Sequence, residues 1–212
     1  MDSIFFDLDG TLTDPKPGIT RSIQYALQRL GRVVPTQDEL TWCIGPPLRA
    51  SFVTLLGNED EADRGIALYR ERFADIGLYE NSVYPGIEAV LSSLQASGAR
   101  LFVATSKPAV YAERIIDHFG LRAPFERVFG AELDGTRGDK GELLAYALAQ
   151  ATVDPASAVM IGDRKHDIIG ARKNALKRTI GVLYGYGTHA ELVEAGADRL
   201  CATPQEIVED LL

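Results

Sequence analysis

Two aspartates, Asp7 and Asp9, stand one residue apart at the end of an apolar run, in the stretch FFDLDGTLTD. Carboxylates this close repel each other, and the repulsion has to be offset by a nearby cation. Side chains alternate in direction along a strand, so the two groups point different ways where the strand ends. We therefore expect a neighbouring cation and a separate role for each carboxylate.

Polar side chains also follow the other apolar segments of the chain. They are Thr105, Ser106 and Lys107 after one segment, Lys140 at the start of a helix-like segment, and Asp163 and Asp167 after another. The carboxyl ends of parallel strands meet at one edge of a sheet, and ligands bind there. The sequence therefore predicts a single site that brings these groups together with the first aspartate pair.

The residue types of this predicted site suit phosphoryl transfer. Several carboxylates that share one site call for a hard divalent cation, and Mg²⁺ binds through carboxylates, waters and phosphate oxygens. Lys140, Thr105 and the amides of the Gly10-Thr11 turn would hold the remaining phosphate oxygens. One aspartate of the pair can attack phosphorus and become an acyl phosphate, while the other protonates the leaving oxygen and then deprotonates water.

Strand-like and helix-like segments alternate through most of the chain. Apolar runs predict strands at 3–8, 99–106, 126–132, 156–163 and 178–184. Between them, apolar residues at helical spacing predict helices at 85–98, 107–120, 140–151 and 166–176. This alternation predicts an α/β fold with a Rossmann-like parallel sheet.

Residues 16–83 interrupt the alternation, because they read as several amphipathic helices with no clear strand. Pro15 and Pro17 precede this block and Tyr84-Pro85-Gly86 follows it. We expect an insertion after the first strand, with a core domain of residues 1–15 and 84–212 and a helical cap of residues 16–83. A packing appendage without a role at the site is the alternative.

Composition narrows the classes of protein to which the chain can belong. The 212 residues carry a formal net charge of −8, which opposes binding to a nucleic acid polymer. Two cysteines without metal-ligand spacing make a disulfide framework or a zinc site improbable. The first residues lack the basic and apolar regions of a signal peptide, so we expect a cytoplasmic protein without a membrane partner.

Four stretches resemble the four motifs of the haloacid dehalogenase superfamily. They are DLDGTLTD, the Thr105-Ser106 pair, Lys140 before a helix, and GDRKHD. The helical insertion resembles the small cap of the phosphoglycolate phosphatase-like branch. The match departs from the family at the third motif, where many relatives carry Lys-Pro-x-Pro and this chain has Arg137-Gly138-Asp139-Lys140. The lysine is therefore assigned by its position before the helix.

The resemblance implies roles for individual residues. Asp7 matches the nucleophile and Asp9 the general acid/base, while Thr105 and Lys140 match the phosphate-binding residues. The implied Mg²⁺ ligands are Asp7, the backbone carbonyl of Asp9, and Asp163, with Asp167 acting through water. Members that dehalogenate generally lack the second acid, because halide leaves without a proton, so dehalogenation is not expected.

The substrate is expected to be a small phosphorylated metabolite. Arg49 follows Gly45-Pro46-Pro47, which resembles the substrate-specificity loop of this branch, and Lys107 is a second candidate contact. The runs GDRKHDIIGARKNAL and GVLYGYG resemble the 5′-nucleotidase members more than typical phosphoglycolate phosphatases. Nucleoside 5′-monophosphates therefore rank ahead of phosphoglycolate.

Several alternatives stay open at the level of sequence. A phosphomutase would return the phosphoryl group to a sugar phosphate, and a binding module would keep the acidic pocket without turnover. The pair Arg164-Lys165 is interpreted as a solvated face, with anchoring of Asp163 as the alternative. Monomer and homodimer are both compatible with the sequence.

Overall fold

A six-stranded parallel sheet forms the centre of the computed structural model, which describes residues 2–212. The strands are β1 (Ser3–Phe6), β4 (Arg100–Pro108), β5 (Phe125–Ala131), β6 (Ala158–Gly162), β7 (Arg178–Val182) and β8 (Arg199–Cys201). Their order in the sheet is β5-β4-β1-β6-β7-β8, and every adjacent pair is parallel. The predicted α/β fold is confirmed, with β1 in the middle between β4 and β6.

Helices cover both faces of this sheet. They are α4 (Ile87–Ala96), α5 (Ala109–His118), α6 (Lys140–Ala151), α7 (Lys165–Lys173), α8 (His189–Ala195) and α9 (Pro204–Leu211). The alternation of side chains along β1 sends Phe5 to the core shared with α6, where it stacks on Phe102 with 4.9 Å between ring centroids. Phe6 faces the opposite core, beside Phe125. Both faces of β1 are therefore buried, as its continuous apolar run requires.

The helical segment between β1 and α4 contains α1 (Lys16–Arg29), α2 (Leu48–Leu56) and α3 (Glu59–Phe73), with 3₁₀ turns at Asp38–Cys43 and Gly77–Tyr79. The expectation that residues 16–83 hold no strand was wrong. Strand β3 (Ser82–Val83) pairs antiparallel with β2 (Thr13–Asp14). Both strands have two residues, so neither shows a detectable alternation in the sequence. This ribbon pairs the segment that leaves the sheet domain with the segment that returns to it. We call the helical segment, residues 16–83, the cap.

The C-terminal elements β8, α8 and α9 were also absent from the sequence prediction. Strand β8 has three residues at the sheet edge, which is too short a run for a detectable strand pattern. No helix among residues 2–212 is both long enough and apolar enough to cross a membrane.

Helices α6 and α7 touch through glycines near their first turns. A Cβ at Gly170 of α7 would lie 2.9 Å from Gly141 N and from Lys140 C, which are backbone atoms of α6. The Asn174 side chain donates to both Gly141 O and Gly170 O, at 2.9 Å each. This close approach brings the start of α6, with Lys140, against α7.

We expect Gly170→Ala to lower the free energy of unfolding by about 1–3 kcal/mol, because the added methyl collides with backbone that cannot turn away. Urea denaturation measures this change. Gly141→Ala is the matched control from the same contact. Its Cβ would have two close neighbours, Asp139 Oδ1 at 3.0 Å and Lys173 Cδ at 3.1 Å, and both are side-chain atoms that can move. Equal stabilities for the two variants would contradict the assignment of a backbone contact at Gly170.

Candidate active site

Three buried carboxylates meet at the carboxyl end of the two central strands. Asp7 follows β1, Asp163 follows β6, and Asp167 lies in the first turn of α7. One oxygen from each lies within 4.8 Å of the others, and the three residues are 4%, 0% and 1% exposed, respectively. Because β1 and β6 are adjacent, the sheet itself brings the first two carboxylates together. We call these three residues the acid cluster.

The acid cluster is short of positive charge. Burial, with repulsion from Asp167 and Asp7, raises the pKa of Asp163 well above its ordinary value. Burial also raises the pKa of Asp167 to about 6, although Lys140 opposes the shift. Asp167 Oδ1 lies 2.7 Å from Lys140 Nζ but accepts no well-aligned hydrogen bond. Buried oxygens with too few donors are the ligands that a hard divalent cation prefers, so these residues fit Mg²⁺.

Lys140 supplies the ammonium group beside the acid cluster. Its Nζ donates to Asp7 Oδ1 at 2.9 Å and to Ala104 O at 2.8 Å. Burial alone would lower the pKa of Lys140, but the charges of Asp167 and Asp7 outweigh burial and raise it. Asp139 fixes the start of α6 by accepting from Gly141 N at 2.9 Å and Glu142 N at 3.1 Å. The lysine that opens this helix therefore stays charged and points at Asp7.

Arg137, the other cation of this segment, has different partners. Its guanidinium pairs with Glu132 and lies 4.3 Å from the centroid of the Tyr146 ring. The structure therefore brings Lys140, and not Arg137, to the acid cluster.

Asp9 faces away from the acid cluster toward a second lysine. Its Oδ2 lies 2.6 Å from Lys107 Nζ, while Asp9 Oδ1 is buried without a hydrogen-bond donor among residues 2–212. Burial raises the pKa of Asp9 in spite of Lys107, with a further contribution from Asp7. Lys107 Nζ also lies 4.7 Å from the centroid of the Phe73 ring, in the cap. The predicted divergence of Asp7 and Asp9 is thus present in the structure.

The prediction that the backbone amides of the turn after Asp9 are free to bind phosphate was wrong. Gly10 N donates to Thr13 O at 2.8 Å, and Thr11 N donates to Leu8 O at 3.3 Å. The tight turn uses both amides internally. Gly10 has a φ of 88°, and a Cβ there would lie 2.2 Å from Asp163 Oδ2, so glycine lets the turn approach the acid cluster. Thr11 Oγ1 contacts Asp163 Oδ1 at 3.4 Å.

Thr105 and Ser106 lie near the carboxyl end of β4, the neighbour of β1. Thr105 is 2% exposed, and its Oγ1 accepts a hydrogen bond from Lys107 N at 3.2 Å. Both hydroxyl residues line the cavity described next, as do Asp7 and Asp9. The position of this pair matches the expectation from the sequence.

A cavity of about 990 Å³ separates this end of the sheet from the cap. Asp7, Asp9 and Thr105 line it on the sheet side. Apolar and aromatic side chains line it elsewhere: Ile19, Val53, Ile66, Tyr69, Phe73 and Tyr111. Tyr69 stacks on Phe73 at 4.9 Å between centroids, and Phe73 meets Tyr111 edge-on at 5.6 Å. The cavity therefore combines charged groups at its floor with a wall of apolar and aromatic side chains, and further charged side chains line it as well, among them Arg49, Asp63, Arg70 and Glu132.

Arg49 does not approach the acid cluster. It is exposed on α2, where Nε lies 3.2 Å from Asp63 Oδ1 and Nη1 lies 3.4 Å from Glu59 Oε2. It lines the cavity but is held by carboxylates of α3. Arg49 and Asp63 lie on different helices, α2 and α3, so the sequence alone gave no signal of this pairing.

Sequence reasoning missed two tyrosines after β7. Tyr186 N donates to Asp163 Oδ2 at 2.7 Å, and Tyr186 Oη donates to Asp14, at the entry to the cap. Tyr184 Oη donates to Thr11 O at 3.1 Å. The intervening Gly185 is required because a Cβ there would lie 2.3 Å from Gly10 O. The Tyr-Gly-Tyr-Gly alternation was the available signal, since glycines in a short loop indicate close backbone approach.

Arg164 is not part of a solvated face, so that interpretation was wrong. It is 9% exposed, donates through Nη1 to Ile44 O in the cap, and pairs with Glu191. Lys165 beside it is exposed. The structure separates the two basic residues because Arg164 precedes α7 and turns inward, whereas Lys165 begins the helix.

Comparison with known proteins places this geometry in a family. Residues 4–182 match the haloacid dehalogenase-like hydrolase family. A 5′-nucleotidase of Pseudomonas aeruginosa is 46% identical over 201 residues, covering 94% of this chain and 90% of that protein. The tyrosine-protein kinase PtkA of Mycobacterium tuberculosis is 42% identical over 184 residues, covering 87% of this chain and 62% of that protein.

A solved structure described as a predicted phosphatase from Clostridium acetobutylicum is also similar. It is 42% identical, covers 99% of this chain and 97% of its own, and superposes with a TM-score of 0.96. The similarity thus extends over the sheet and the cap together. The chain belongs to the haloacid dehalogenase-like hydrolase family.

Proposed function

We propose that this family phosphatase is a Mg²⁺-dependent hydrolase of nucleoside 5′-monophosphates that works through an aspartyl-phosphate on Asp7. The observation that carries the proposal is that Asp7, which belongs to the buried acid cluster and is paired with Lys140, lines a cavity that also has a wall of apolar and aromatic side chains. The floor suits a phosphate group, and the wall suits a nucleoside.

Asp7 and Asp9 divide the chemistry. Asp7 attacks phosphorus in line and forms the acyl phosphate while the bond to the ester oxygen breaks. Asp9 gives its proton to that leaving oxygen, and the raised pKa of Asp9 favours the protonated form that this step needs. Asp9 then takes a proton from water, the water oxygen attacks phosphorus, and Asp7 leaves as a carboxylate with release of inorganic phosphate.

The remaining residues bind the phosphate and the metal. Lys140 lies 2.9 Å from Asp7, so it can stabilise charge that develops on the transferring group. Thr105 and Ser106 present hydroxyl groups at the same floor. Mg²⁺ would be held by Asp7, Asp163 and the backbone carbonyl of Asp9, with Asp167 acting through water. When bound, the metal supplies positive charge to the phosphate oxygens.

The cavity favours a nucleoside over phosphoglycolate. Phosphoglycolate carries a carboxylate in addition to its phosphate group, and that carboxylate needs a cation as its partner. Among the described cations that line the cavity, Arg49 is paired with Asp63 and Lys107 with Asp9, which leaves Arg70, a donor to the uncharged Leu133 O, as the one cation there without a carboxylate partner. A nucleoside needs no such cation and can pack on the aromatic wall of Tyr69 and Phe73. The similarity to a protein named 5′-nucleotidase supports this choice.

The domain division supports the same function. We propose the cap, residues 16–83, as the element that covers the substrate, and residues 1–15 and 84–212 as the core that carries the reacting groups. The cavity lies between residues of both parts. Enclosure of this kind keeps bulk water from the acyl phosphate.

A phosphate-release assay over nucleoside 5′-monophosphates, sugar phosphates and phosphoglycolate tests the substrate assignment. We expect the highest kcat/KM for a nucleoside 5′-monophosphate and loss of turnover with EDTA, restored by Mg²⁺. Inert nucleotides with dominant phosphoglycolate turnover would contradict the assignment. An isomerised sugar phosphate without phosphate release would indicate a mutase, and phosphate transfer from a nucleotide to tyrosine would indicate a kinase like the mycobacterial relative.

Asp7→Asn and Asp9→Asn test the mechanism. We expect Asp9→Asn to lower kcat by roughly 10²–10⁴-fold, the usual contribution of a general acid or base, and Asp7→Asn, which removes the nucleophile, to lower kcat at least as much. Asp117→Asn, an exposed position on α5, is the control and should retain full activity. Phosphate release by Asp7→Asn at the wild-type rate would exclude Asp7 as nucleophile, and circular dichroism checks that each variant is folded.

A further inference from the structure

Arg164 belongs to the core but is bonded to the cap. It directly follows Asp163, and its backbone N donates to Asp167 Oδ2 at 3.0 Å, so its main chain is fixed to the acid cluster. Its guanidinium extends the other way and donates through Nη1 to Ile44 O. One residue therefore connects the acid cluster to the cap.

Glu191 determines the direction of this guanidinium. Its Oε1 accepts from Arg164 Nε at 3.0 Å and from Lys165 N at 2.9 Å. Thr188 fixes the start of α8 by accepting from Glu191 N at 3.1 Å. Because the guanidinium is planar, a bond at Nε fixes where the Nη atoms point. The carboxylate of α8 thus aims Arg164 at the cap.

The cap loop is shaped to receive the arginine. Ile44 is fully buried, and Gly45 has a φ of 101°. A Cβ at Gly45 would lie 2.7 Å from Arg164 Cγ, so the glycine both forms the bend and leaves room for the side chain. Gly45, Pro46 and Pro47 line the cavity. We call residues 44–47 the cap loop.

We propose that Arg164 is a positioning residue that holds the cap loop over the cavity in a fixed position relative to the acid cluster. Its main chain is fixed beside Asp163 and bonded to Asp167, and its side chain is bonded to the cap loop, which lines the cavity. The position of the cap loop is therefore set relative to the acid cluster. Loss of the guanidinium releases the cap loop and weakens substrate binding, while the chemistry at Asp7 stays intact. The kinetic part of this inference rests on the proposed function.

Arg164→Ala and Arg164→Lys test the proposal, with Arg172→Ala as the matched control. Arg172 lies in α7, the helix that Arg164 precedes, and its guanidinium likewise bonds a carboxylate, Asp198 at 2.9 Å, and a backbone carbonyl, Gly196 O at 2.7 Å. All of its partners are in the core. Lysine at position 164 keeps the charge but cannot make the two divergent bonds.

Hydrogen exchange of peptides that cover residues 40–50 is the first measurement, and it requires no substrate. We expect both Arg164 variants to exchange about tenfold faster there, the effect of losing one charged hydrogen bond, while Arg172→Ala exchanges as wild type. The second measurement is kinetic. KM for a nucleoside 5′-monophosphate should rise about tenfold in both Arg164 variants with kcat little changed.

If Arg164 only stabilises the fold, its variants will melt at a lower temperature without a selective change in cap-loop hydrogen exchange or in KM. That result would overturn the proposal. Wild-type exchange and KM in Arg164→Lys would also overturn it, because charge would then suffice. If the wild-type protein releases no phosphate from nucleotides, the proposed function fails, but faster exchange in the cap loop of the Arg164 variants would still support the positioning role.

Discussion

The burial of several carboxylates at the end of β1 is the constraint on which the rest of the structure depends. Taking an ion out of water costs several kcal/mol unless it is paired and hydrogen-bonded. The fold offsets that cost by placing one lysine beside each of the two aspartates that follow β1. Lys140 reaches Asp7, and Lys107 reaches Asp9. The excess negative charge that remains at the acid cluster is the charge that the proposed Mg²⁺ would balance.

Each charged group arrives from a different element, so the elements have to meet at close range. Gly170 permits the contact that brings α6 against α7, and Gly10 and Gly185 permit the turns to approach Asp163. Side chains at these positions would occupy the space of the carboxylates or of the backbone that supports them. The glycines around the site are therefore part of its electrostatics, because they set how close the charges lie.

The cap is linked to the core by polar contacts and by packing. Lys107 pairs with Asp9 and at the same time faces the ring of Phe73 in the cap. Arg114 of α5 donates to Ala74 O at 2.8 Å, beyond the last turn of α3. Lys107 thus pairs with a carboxylate of the core and contacts the cap at the same time.

The sequence by itself determined the α/β alternation, the position of the helical insertion, and the polar residues at the strand ends. These follow from local periodicity and from the rule that parallel strands share a carboxyl edge. Only the tertiary structure decided which cation serves which carboxylate, that Arg49 is held by acids of its own cap, and that Arg164 turns inward. Pairings between residues of different elements, from 14 positions apart for Arg49 and Asp63 to 133 for Lys140 and Asp7, depend on distances that packing sets, and no local pattern encodes them.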